Sequence, residues 1–111
     1  MIAEDRAEGA VEYLRDCAAE YGRLRGHMEY CDGNLRRVKS LQMLERRGPL
    51  PGGPVADREA AAYASDAYLT AMQELENATA AYETMRALRE AAVYTIEVWR
   101  SQNSTRRQGN V

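Results

Sequence analysis

Apolar positions in the first part of the chain recur at Ala7, Val11, Leu14, Ala18, Tyr21, Leu24, Met28, Cys31, Leu35, Val38, Leu41 and Leu44. Steps of three and four keep one side of an α-helix apolar, and this predicts a first helix over about 3–46. Gly22, Gly26 and Gly33 each weaken that helix by up to about 1 kcal/mol relative to alanine. The apolar register is the same on both sides of Cys31-Asp32-Gly33-Asn34, so one helix is expected, with Gly33 the place for a kink. The stretch Gly48-Pro49-Leu50-Pro51-Gly52-Gly53-Pro54 cannot continue it, because proline fixes φ and removes an amide donor. A turn over 48–56 is expected. It is glycine-rich like a phosphate loop but lacks the Gly-Lys-Ser/Thr ending that would serve phosphates and metal.

Asp57 reads as an N-cap with Glu59 in the first turn, opening a second helix over about 57–101. Here the period tightens to seven. One line runs Ala64, Ala71, Ala78, Met85, Ala92 and Trp99, and a second, four residues ahead, runs Tyr68, Leu75, Tyr82, Arg89 and Ile96. Small side chains on one line let a neighbouring helix come close, while larger ones on the other fill the flanks. Arg89 breaks the apolar pattern, and Leu88 is expected to take its place as the helix drifts off the strict repeat.

The fold class that follows is all-α: a long antiparallel two-helix hairpin in a single domain, residues 1–111, ending in a flexible basic tail over 102–111. Each helix would be about 60–68 Å long. A lone pair of that length buries one stripe per helix and leaves Tyr13, Tyr30, Met43, Tyr63, Met72 and Tyr94 wet. Self-association is therefore expected, as a dimer forming a four-helix bundle or a larger oligomer. The candidate interface is Tyr68, Ala71, Leu75, Ala78, Tyr82, Met85 and Ile96.

The core available is thin, since the 45% hydrophobic fraction contains no Phe and one Trp. The formal charge of -2 names no partner, but it conceals a segregated distribution. Residues 1–22 carry a net -4, residues 23–47 a net +4, residues 48–99 a net -5 and residues 100–111 a net +3. Part of this is complementarity between antiparallel helices. The functional reading is a basic patch near the turn, Arg36, Arg37, Lys39, Arg46 and Arg47, and a second at the opposite end, Arg100, Arg106 and Arg107. Both suit a nucleic-acid backbone, with Tyr30 or Trp99 available to stack on bases.

Catalytic and metal chemistry find little support. His27 and Cys31 stand four apart, but His27 is the only histidine, so no ligand set and no cofactor are expected. The same pair lacks an orienting third group for nucleophilic catalysis. Cys17 and Cys31 on one helix would be about 21 Å apart, beyond any disulfide. The expectation is no enzyme, no small-molecule substrate and no membrane partner. Glu4, Asp5 and Glu8 are the wrong charge for a signal-peptide start, which points to the cytoplasm.

Glu59-Ala-Ala-Ala-Tyr-Ala-Ser-Asp-Ala-Tyr68 and Ile96-Glu-Val-Trp-Arg-Ser101 resemble segments of small helical proteins of tailed bacteriophages that occur among recombination and replication genes. In outline the chain is similar to phage recombination mediators, which assemble as helical oligomers and load recombinase on single-stranded DNA. The resemblance covers mainly residues 57–107. It implies single-stranded DNA or a recombination protein as partner, a location in the bacterial host cytoplasm, and Trp99 and Arg100 as candidate contacts. The alternative function is a protein-binding module without DNA binding, such as a phage inhibitor of a host defence complex or an adaptor.

Overall fold

A computed structural model describes residues 2–45 and 55–109. The fold is all-α, with four helices in the order α1 (Glu4–Asp16), α2 (Ala18–Glu45), α3 (Val55–Tyr63) and α4 (Asp66–Gly109). Residues 55 and 56 of the expected turn open α3, while the rest of that turn and the basic residues Arg46 and Arg47 lie outside the described residues. Two compact units form, one from the described parts of Met1–Arg23 and Tyr82–Val111, the other from Leu24–Ala81. Helices α2 and α4 each contribute to both.

In the first unit the arms run antiparallel. The Ile2 amide donates to Gln102 Oε1 at 3.0 Å, Arg89 reaches the Leu14 carbonyl at 2.9 Å, and the Tyr21 and Tyr82 hydroxyls lie 3.2 Å apart. The second unit is antiparallel too. Lys39 meets Glu59 at 2.7 Å, and Met28 and Asp32 share a groove with Leu75 and Thr79.

The first helical stretch is interrupted at Cys17 rather than at Gly33. Cys17 has φ -92° and ψ 0°, yet its amide still donates to the Tyr13 carbonyl at 3.0 Å and its carbonyl accepts from Tyr21 at 2.8 Å. The backbone hydrogen bonds therefore continue across Cys17. Gly33 lies inside α2 with no break. The second stretch is interrupted by Ala64 and Ser65, where Ser65 acts as the N-cap of α4: its Oγ accepts from the Tyr68 amide at 3.2 Å and donates to the Ala62 carbonyl at 2.6 Å. Asp57 is not a cap, because α3 already begins at Val55 and Asp57 sits in its first turn.

At the other end α4 runs on to Gly109, past the expected end near 101 and through most of the tail expected to be flexible. Nothing between 101 and 109 breaks a helix, Gln102 is tied to Ile2, and Arg106 and Arg107 in the last turn oppose the helix dipole.

The core consists of small residues. Ala7, Cys31, Ala62, Ala71 and Ala78 are buried, and no large side chain among the described residues is fully so. Two of the five belong to the heptad line of alanines, which permits close helix approach. Tyr68, Leu75, Tyr82, Met85 and Ile96 are half-buried. With Ala71 and Ala78 buried and Tyr82 stacked on Tyr21, this seam is closed within the chain.

Candidate nucleic-acid interface

The last turns of α4 present Trp99, Gln102, Asn103 and Arg106 at steps of three, one and three, which places them along one side of the helix. With Arg107 and the residues Ile2, Ala3 and Glu4 they line a cavity of about 510 Å³. Trp99, Gln102 and Asn103 are half-buried there, while Arg106 and Arg107 are exposed. Gln102 is held by the Ile2 amide, so the cavity has one fixed polar wall. Glu4 supplies a carboxylate acceptor on the opposite side. Arg100 is not part of this lining and is exposed. Among the described residues Arg100, Arg106 and Arg107 make no ion pair. Their charge is free to meet an anion.

The patch expected near the turn is organised differently. Arg36 is ion-paired with Asp32 at 2.8 Å, and Lys39 with Glu59 at 2.7 Å. Lys39 also lies 4.6 Å from the centre of the Tyr63 ring. Tyr63 in turn packs edge-on against Tyr68 with ring centres 5.1 Å apart, and its hydroxyl donates to Glu59 Oε1 at 3.3 Å. Hydrogen bonding from Lys39 holds the Glu59 carboxyl below its usual range, and the same bond raises Lys39. Two of the three described cations in this patch are thus engaged with carboxylates of the chain itself. Arg37 is exposed and makes no ion pair among the described residues.

Arg89 is the residue whose role the periodicity conceals. It, and not Leu88, occupies the seam: Arg89 is half-buried, whereas Leu88 is 55% exposed. Its Nη1 donates to the Leu14 carbonyl at 2.9 Å and lies 3.0 Å from Cys17 Sγ, and its guanidinium stacks over Tyr21 at 4.7 Å. Tyr21 is itself stacked on Tyr82, with ring centres 5.3 Å apart and planes 6° from parallel. A cation at the carboxyl end of α1 is favoured by the helix dipole and supplies the donor that a leucine lacks. The hydrogen bond with Tyr82, together with burial, raises the Tyr21 phenol above its usual pKa. The only sequence sign of this cluster is a charged residue in an apolar heptad line.

His27 Nε2 lies 3.7 Å from Cys31 Sγ, and among the described residues no group of three or more potential ligands gathers to hold a metal. Among them, too, no helix is long and apolar enough to cross a membrane. Fold and site define an all-α helical hairpin with a cationic, tryptophan-bearing end. No protein-family model, curated protein or solved structure matches the chain.

Proposed function

We propose that this chain is a non-enzymatic helical protein of bacteriophage recombination or replication type, which self-associates and binds single-stranded DNA at the end of α4. The observation that carries the reading is the convergence of Trp99, Arg106 and Arg107 on one cavity, with both arginines unpaired by any described carboxylate. A base stacked on an aromatic ring contributes about 1–3 kcal/mol, and the arginines take the phosphates on either side. Gln102, Asn103 and Glu4 offer donors and acceptors to a base edge.

Titration of a fluorescent oligothymidine at two salt concentrations tests this. Two phosphate contacts predict a log–log salt slope of about -1.4, and Arg106→Ala with Arg107→Ala should remove most of it. Absence of any binding at low salt eliminates the reading. Exposed Tyr30, Leu69 and Met72, at 65%, 53% and 46%, favour the competing one, a protein-binding module acting as an inhibitor of a host defence complex or as an adaptor. That reading predicts a stable protein complex and indifference to DNA.

A further inference from the structure

A second groove, of about 400 Å³, opens in the first unit, and Leu14, Tyr21, Val93 and Tyr94 form much of its apolar wall. Its outer edge is a stripe of α4 at steps of three and four: Glu83, Arg86, Glu90, Val93, Glu97 and Arg100, every one exposed. Val93 is 43% exposed and Tyr94 68%, a large apolar surface for the wall of a groove. Arg86 and Arg89 balance the carboxylates of Glu90 and Glu97 in this groove, so it has no excess of positive charge to draw a phosphate backbone.

The order of charges on the stripe is self-complementary when reversed. Counted outward from the midpoint between Ala91 and Ala92, Arg86 stands opposite Glu97 and Glu83 opposite Arg100. We infer that a second copy of this chain docks in this groove, with its α4 antiparallel about a two-fold axis at the level of Ala91 and Ala92. Arg86 of each copy then meets Glu97 of the other, and Glu83 meets Arg100, giving four ion pairs across the axis. By the same count Tyr94 stands opposite Arg89 and Val93 opposite Glu90, so both apolar side chains meet the lining of the other copy's groove. A parallel pairing in register would instead set Glu on Glu at 83, 90 and 97.

Within one copy Arg86 already touches Glu90 at 3.2 Å and Glu83 at 3.5 Å. Both contacts are at least half exposed and weak, so they can be exchanged for pairs across the interface at little cost. The inference rests on the self-association in the function proposed above and shares with the DNA candidates only Arg100, which does not line the Trp99 cavity. The test is a reciprocal charge swap on the full chain, with dimer dissociation read by analytical ultracentrifugation and folding by circular dichroism. Glu97→Arg should weaken the dimer by about tenfold or more, since two like-charge contacts are created, and Arg86→Glu added to it should restore the dimer. Tyr94→Ala, an exposed position in the single copy, should weaken it without altering helicity. A monomeric native protein overturns the inference, and so does a dimer unmoved by Glu97→Arg or unrestored by the double swap. DNA binding by such a protein would leave the nucleic-acid reading standing.

Discussion

Arg89 holds a position where the heptad asks for an apolar side chain, and it answers with contacts that leucine cannot make. Its guanidinium bonds to the Leu14 carbonyl near the end of α1 and lies on the face of Tyr21. Arg89→Leu would improve the hydrophobic pattern yet remove a charge-assisted hydrogen bond and a cation–π contact. We expect the thermal midpoint to fall by about 5 °C, measured by circular dichroism. An unchanged or higher midpoint would mean that the apolar substitution compensates for both contacts. Periodicity put Arg89 on the heptad line, but the expectation that Leu88 replaces it was wrong, because its partners Leu14, Cys17 and Tyr21 are 75, 72 and 68 positions away in sequence.

Among the elements, the helical character of both long stretches was legible because steps of three and four persist across each one. Their interruptions were not. Gly33 drew attention through low helix propensity, yet α2 passes through it, since a solvent-facing glycine weakens a helix without bending it. Ser65, in contrast, sits between Ala64 and Asp66 with no proline or glycine nearby to signal a break, and its hydroxyl caps the start of α4. Ser65→Ala leaves the Tyr68 amide without its acceptor. It should destabilise the protein by about 1 kcal/mol, read from chemical denaturation, with Ser65→Asp recovering most of the loss. The basic end of α4 was partly legible: Trp99, Arg106 and Arg107 are gathered in one cavity by helical spacing alone. The patch at Arg36 and Lys39 was overestimated, because sequence counts charges and does not show which carboxylates of the fold already hold them.

For the whole molecule, the all-α hairpin follows from two apolar faces and one proline-rich stretch. The division into two compact units does not, since it depends on how contacts distribute along helices that sequence reads as uniform. The helical course of residues 102–109 was not legible for a related reason: composition reports the absence of apolar anchors, but helix propagation from Trp99 needs only residues that do not break it.

The core of Ala7, Cys31, Ala62, Ala71 and Ala78 has a thermodynamic consequence. The heat-capacity increment of unfolding comes chiefly from newly hydrated apolar surface, and among the described residues no large side chain is completely buried, which leaves less to expose. Calorimetry of the undocked chain should give an increment below the usual value of about 12–15 cal/mol/K per residue. Its stability would then vary little with temperature, a flat curve with neither a sharp optimum nor an accessible cold transition.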